Sequence, residues 1–291
     1  MFTGAMVALI TPFHDGDIDW KTFEELIGFQ LENGIDGIAP VGTTGESPTL
    51  SHAEHKKVIE RVVKVVKGKV PVIAGAGSNS TAEAIELTAF SKKTGADATL
   101  QVCPYYNKPT QEGFYQHFKA IAEEVDLPIV LYNIPGRCGG KGLTAETVAR
   151  LSKLENIVAI KEATGSLDMS SSIANLCDIT IISGDDSLTL PIASVGGKGA
   201  ISVVANIVPG DVKAMTDLIL AGDFVTARKW HNKLFTLSKN MLGLATNPIP
   251  LKAAMAMLNM APEELRLPMT PMGPSKKLIL RKTLEDYGLL S

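Results

Sequence analysis

Lys161 is the residue whose surroundings most clearly suggest chemistry. It ends the apolar run Ile157, Val158, Ala159 and Ile160, and is followed by Glu162 and Ala163. Alternate residues of a strand share a face, so Lys161 lies with Ala159 and Ala163, whose small side chains leave room for a ligand. Burying an ammonium without a partner costs several kcal/mol. A lysine so placed is therefore paired, neutral or chemically employed, unless it snorkels to solvent at the strand end.

Other residues supply what a reactive lysine would need. Tyr132 ends a second apolar run, with Arg137 just beyond it, and Thr43 and Thr44 stand in the sequence Gly42-Thr43-Thr44-Gly45-Glu46-Ser47. An amine with a lowered pKa attacks ketones and gives an imine that acts as an electron sink. A tyrosine hydroxyl can give and take the protons this requires, and threonine hydroxyls can relay them or donate to a substrate carboxylate. Arg137 suits a second carboxylate, held in bidentate fashion. Taken singly, these are also a core tyrosine and a surface arginine. Only their common location would decide.

Eight apolar, β-branched runs set that location. They cover 7–11, 37–42, 70–76, 98–103, 129–134, 157–163, 180–184 and 200–205, each followed by a segment of helical period. Ser51 with Glu54 and Ser80 with Glu83 read as capping boxes, and Asp19 and Thr144 as N-caps. Strands this apolar are covered on both faces, which predicts a closed (β/α)8 TIM barrel over residues 1–221. A doubly wound sheet would carry a glycine fingerprint after its first strand, and none is present. From residue 222 to 291 the pattern is helical only, over 224–242, 251–258 and 276–287. This predicts a C-terminal helical appendage.

Barrel active sites lie at the C-terminal ends of the strands. That rim collects Thr43, Thr44, Tyr105, Tyr106, Tyr132, Arg137, Lys161 and Gly184-Asp185-Asp186, and nothing comparable gathers at the other end. Gly75-Ala76-Gly77 and Gly196-Gly197-Lys198-Gly199 read as tight turns rather than phosphate loops. His52 and His55 stand three apart in the first turn of a helix and so share a face. They read as a solvated helix start, as a metal pair lacking a third ligand, or, with Asn79, Glu83 and Tyr105, as a site for a small polar effector.

The composition narrows the class. The 291-residue chain is 45% hydrophobic and 20% charged with a formal net charge of -3, and it carries no basic stripe for nucleic acid or a membrane surface. No signal peptide and no membrane span are expected. Cys103, Cys138 and Cys177 are too scattered for a disulfide framework, which predicts a reducing cytoplasm. Cys138 follows Arg137, yet no histidine lies near it in sequence to make a catalytic pair. No metal motif is recognisable, and neither a metal nor a cofactor is expected.

The motifs resemble those of the 4-hydroxy-tetrahydrodipicolinate synthase (dihydrodipicolinate synthase) family over nearly the whole chain. They run from Met1-Phe2-Thr3-Gly4 and Gly42–Ser47 through Pro104–Asn107, Leu131–Arg137, Ile160–Ala163 and Ser183–Asp186. Asn247-Pro248-Ile249-Pro250 and Leu265–Pro271 complete the series. The resemblance implies a Schiff base between Lys161 and pyruvate, condensation with L-aspartate 4-semialdehyde, and a place at the entry to diaminopimelate and L-lysine biosynthesis. Tyr132 would move the proton, with Thr43 and the adjacent subunit's copy of Tyr106 in its relay. Thr44 and the backbone of Ile201 would hold pyruvate, Gly184 would line the pocket, and Arg137 would hold the semialdehyde's carboxylate. The family is typically a homotetramer, a dimer of dimers. It also implies a site for L-lysine as effector at Ser47, Pro48, His52, His55, Asn79, Glu83 and Tyr105, with Pro48 departing from the small residue usual there. Two alternatives stand beside this reading: another pyruvate-dependent lyase, acting on N-acetylneuraminate or a 2-keto-3-deoxy sugar acid, and a catalytically silent binding barrel.

Overall fold

The computed structural model describes residues 2–291; Met1, which opens the first family motif, lies outside the described residues. Eight parallel strands form one sheet: β1 (Gly4–Ala8), β2 (Gly37–Ala39), β3 (Ile73–Gly75), β4 (Ala98–Val102), β5 (Ile129–Asn133), β6 (Ile157–Glu162), β7 (Thr180–Ser183) and β8 (Gly199–Ser202). Neighbours in sequence are neighbours in space, and β1 pairs with both β2 and β8. The remaining seam, between β2 and β3, closes through a parallel bridge from Ile38 to Val72. The Ile38 N–H donates to the Pro71 carbonyl and the Gly75 N–H to the Pro40 carbonyl, each at 3.0 Å. The expected barrel is thus the observed one.

One parity of every strand packs inside it. Met6, Ala39, Ile73, Leu100, Val130, Ala159, Ile182 and Ile201, one from each strand, form a single buried cluster. The opposite parity, including Val7, Ile38, Leu131 and Ile160, faces the helices. These are α1 (Trp20–Glu32), α2 (His52–Val66), α3 (Thr81–Thr94), α4 (Gln111–Glu124), α5 (Ala145–Leu151), α6 (Leu167–Leu176), α7 (Thr189–Ser194) and α8 (Pro209–Leu220). Three more helices follow, α9 (Phe224–Gly243), α10 (Ile249–Met257) and α11 (Pro274–Tyr287). Their Leu237, Leu251 and Leu284 belong to the same apolar cluster as Phe23, Val58 and Met215 of the barrel helices. Among the described residues no helix is long and apolar enough to cross a membrane.

Several boundaries differ from the sequence expectation for identifiable reasons. The first strand starts at Gly4 rather than residue 7, because the Asp36 carboxylate accepts the Ala5 N–H at 2.8 Å and ties down the entry. The third strand shrinks to three residues after Pro71, which has no N–H to donate. The eighth ends at Ser202, where the chain tightens into a 3-10 turn over Val204–Asn206. Helices α8, α10 and α11 begin earlier than expected, each with a proline in its first turn, where the missing N–H costs nothing. The capping box at Ser51 and Glu54 forms, and Asp19 and Thr144 cap as expected. The one at Ser80 does not. Glu83 turns instead to the Ser78 hydroxyl and to His52.

The seam leaves no space for a side chain at Gly75. A Cβ there would lie 2.2 Å from the Val41 carbonyl oxygen and 2.6 Å from its carbon. Val41 is itself held at φ +55, a costly conformation for a β-branched residue. Gly75→Ala must therefore push β2 from β3. We expect it to destabilise the protein by about 3 kcal/mol, the upper end of the overpacking range. Urea denaturation measures this, and a change within about 0.5 kcal/mol would show that the seam yields freely.

Candidate active site

Register brings the two central residues together. Tyr132 of β5 pairs directly with Lys161 of β6, so both side chains enter the barrel at one level. Both are buried at 5% exposure, and the Lys161 Nζ stands 4.3 Å from the centre of the Tyr132 ring. They open into a cavity of about 370 Å³ at the C-terminal ends of the strands. Thr43, Thr44, Arg137, Ala163, Gly184 and Asn247 also line it. The lysine does not snorkel, and the tyrosine is not a closed core residue.

Gly184 makes room for the lysine. A Cβ there would sit 3.0 Å from both Cγ and Cε of Lys161 and 2.8 Å from the Ala163 Cβ. Burial, with the Arg137 guanidinium adding to it, lowers the Lys161 pKa to about 8, against the opposing pull of the Asp186 carboxylate. The neutral amine is then roughly 300 times more abundant at pH 7 than for an ordinary lysine at 10.5. Tyr132 moves the other way. Burial pushes its hydroxyl up to about 12, while Arg137 and the adjacent Thr43 hydroxyl favour its ionised form. A partly neutral amine beside a protonated phenol is a nucleophile beside a proton donor.

Loops from distant parts of the chain fix the rim. Thr44, 3% exposed, accepts a hydrogen bond from Asn247 Nδ2 at 2.9 Å, and the Asn247 carbonyl accepts one from Arg137 at 3.2 Å. Asp186 accepts the N–H groups of Val203 and Val204 at 2.9 and 3.3 Å, which ties the end of β8 to the loop after β7. Ile201 is buried inside the barrel, and Val203 rather than Ile201 is found among the residues lining the cavity. Tyr106 does not join the cavity within the chain. It is 90% exposed at φ +70 on the loop after β4.

A second cavity, about 490 Å³, adjoins the first and shares Thr43, Arg137 and Asn247 with it. Ser47, Pro48, His52, His55, Glu83 and Tyr105 line it, whereas Asn79 is not among the lining residues. His52 stands 2.9 Å from Glu83, which also accepts from Ser78. His55 is buried with its Nε2 2.7 Å from the Gly75 carbonyl, and burial holds its pKa below the ordinary value. Burial and then the Glu83 charge push the Tyr105 hydroxyl up. Among the described residues no group of three or more His, Cys, Asp or Glu is placed to hold a metal. Burial likewise raises the thiols of Cys103 and Cys138 above the ordinary range, so both stay protonated.

Sequence reasoning did not single out Asn247 on this rim, nor Glu46 and the buried Lys252 that pairs with it. Lys252 carried a readable signal, a lone charge in the apolar helix Ile249–Met257. Asn247 carried none beyond its place in a motif.

A closed parallel barrel with a buried lysine of lowered pKa over a tyrosine ring defines an imine-forming barrel enzyme. The sequence signature of the dihydrodipicolinate synthetase family matches residues 1–287, and the chain belongs to that family. It is 51% identical over 292 residues to the 4-hydroxy-tetrahydrodipicolinate synthase of Pelobacter propionicus, with both chains covered in full. The fold matches the chloride-inhibited dihydrodipicolinate synthase of Acinetobacter baumannii, solved with pyruvate, at a TM-score of 0.97 and 43% identity over 100% of each chain. It also matches the enzyme of Cyanidioschyzon merolae, solved with lysine bound, at 0.95 and 42% over 99% of each chain. These names are all synthases, and the sugar-acid lyases are not favoured.

The lowered pKa sets a pH dependence. The initial rate of reductive trapping of Lys161 by a small 2-oxo acid and cyanoborohydride should rise through about pH 8 and flatten above it. A rise still continuing towards pH 10.5 would mean an ordinary, solvated lysine.

Proposed function

We propose that the protein condenses pyruvate with L-aspartate 4-semialdehyde to give 4-hydroxy-tetrahydrodipicolinate, the first committed step of diaminopimelate and L-lysine biosynthesis. The observation that carries this reading is the buried Lys161 in register with Tyr132, its amine partly neutral. The neutral Nζ attacks the ketone carbon of pyruvate, and Tyr132 protonates the resulting hydroxyl so that it leaves as water. Loss of a methyl proton gives the enamine. Its carbon bonds to the aldehyde carbon of the second substrate, whose oxygen takes up a proton. The substrate's amino group then attacks the imine carbon, closes the ring and frees Lys161. One water is released for each pair of substrates.

Thr44 and the backbone at Ile201 hold the pyruvate carboxylate, and Gly184 lines its pocket. Arg137, anchored on the Asn247 carbonyl, holds the carboxylate of the semialdehyde. Thr43 relays protons to Tyr132. Tyr106 completes the relay from an adjacent subunit, and its near-total exposure on the rim supports this. The assembly is a homotetramer of two such dimers, working in the cytoplasm without a cofactor or metal. Residues 1–221 carry the imine chemistry, and residues 222–291 hold its rim in place.

The second cavity takes L-lysine as a feedback effector. Glu83 offers the carboxylate its ammonium requires, flanked by Ser47, Pro48, His52, His55, Asn79 and Tyr105. A lysine-bound relative of the same fold supports the assignment.

Borohydride reduction in the presence of pyruvate should add one pyruvyl unit to the wild-type chain and none to Lys161→Ala, as read by intact mass. An unlabelled wild type would end the enzyme reading. Activity in a coupled assay should fall as lysine rises, and Glu83→Gln should weaken that inhibition by about 10- to 100-fold, the worth of one charged hydrogen bond. A wild-type curve that stays flat to millimolar lysine removes the effector site.

A further inference from the structure

The loop that carries Thr43 and Thr44 is held by an ion pair removed from water. Glu46 and Lys252 form a salt bridge with side-chain exposures of 2% and 0%. Lys252 Nζ also donates to the Glu264 carbonyl at 2.9 Å and lies 4.1 Å from the centre of the Phe13 ring. The other Glu46 oxygen accepts the Arg266 N–H at 3.2 Å. Two segments from the far end of the chain, one carrying Lys252 and one Arg266, thus converge on one carboxylate.

That carboxylate belongs to a strained turn. Glu46 sits at φ +55, its N–H closes the turn on the Thr43 carbonyl at 3.1 Å, and Val41 at the other end is also at φ +55. Left-handed conformations at non-glycine residues persist only where surrounding contacts enforce them. Five residues before Lys252, Asn247 donates to the Thr44 hydroxyl, so α10 and the segment just before it grip the turn at two points. Replacing a buried ion pair with neutral groups is often tolerated for stability alone. Such a pair beneath a strained active-site turn has a different use.

We propose that Glu46 and Lys252 are positioning residues for the reaction. Their charge interaction holds the Thr43–Thr44 turn in the conformation that receives the pyruvate carboxylate and serves Tyr132. This rests on the functional reading given above. The pair touches no substrate and acts through the threonines.

The test separates folding from positioning. Glu46→Gln and Lys252→Met each strand one buried charge and should lower the urea midpoint. The double variant Glu46→Gln/Lys252→Met strands none and should recover most of it. Lys252→Arg keeps the charge. For each protein the pyruvate concentration giving half-maximal borohydride labelling is measured. We expect it to rise at least tenfold in the double variant despite its recovered stability, and less in Lys252→Arg. Half-saturation that returns to the wild-type value along with stability would make the pair merely structural and overturn the proposal. A double variant that does not recover stability while Lys252→Arg labels no better would overturn it too. If wild type takes no label, the functional reading fails and this inference falls with it.

Discussion

Removing an ammonium from water is the constraint around which the top of this barrel is built. Lys161 meets it by giving up charge. Its neighbours are a tyrosine ring, two small residues and a glycine, and the carboxylate of Asp186 is already committed to two backbone N–H groups. Had a carboxylate been set directly against Nζ, the lysine would stay charged and lose its nucleophilicity. The absence of a Cβ at residue 184, the alanines at 159 and 163 and the partial counterweight of Asp186 all serve that one balance. The register that sets Tyr132 opposite Lys161 then converts a desolvated base into a pair able to exchange protons.

The same constraint is met in the opposite way a short distance off. Lys252 is even more deeply buried, yet it is matched by Glu46 and by a backbone carbonyl. One lysine is left short of partners and its pKa falls to about 8; the other is paired with a carboxylate and a backbone carbonyl. Burial alone therefore does not tell a lysine suited to nucleophilic chemistry from one held in an ion pair. What separates them is whether a carboxylate is free to meet the amine.

Much of this was legible in the chain. Eight apolar runs followed by helical periods specify the barrel, and the rule that its chemistry sits at the strand ends gathers Thr43, Thr44, Tyr132, Arg137 and Lys161 from the sequence alone. Strand parity set Lys161 on one face with Ala159 and Ala163, and the structure turns that face into the barrel. The illegible parts are those where a contact crosses the chain. The pairing of Glu46 with Lys252 spans 206 positions in a chain of 291. Nothing local distinguishes Glu46 from a solvated loop residue. At Ser80 and Glu83 local pattern misled, because Ser78 and His52 compete for the glutamate more effectively than the helix N-terminus does. Strand ends shifted wherever a proline or a side-chain cap redirected one hydrogen bond.

Thr43, Arg137 and Asn247 stand in the walls of both cavities. A wall with two faces cannot be altered on one alone. Any lineage that retunes the outer cavity, by changing its shape or charge at these positions, also changes the inner one. Only the unshared residues, such as Pro48 and His52, can change the outer cavity by itself. In this architecture, variation between relatives should collect on the outer side of that partition while the partition itself stays fixed.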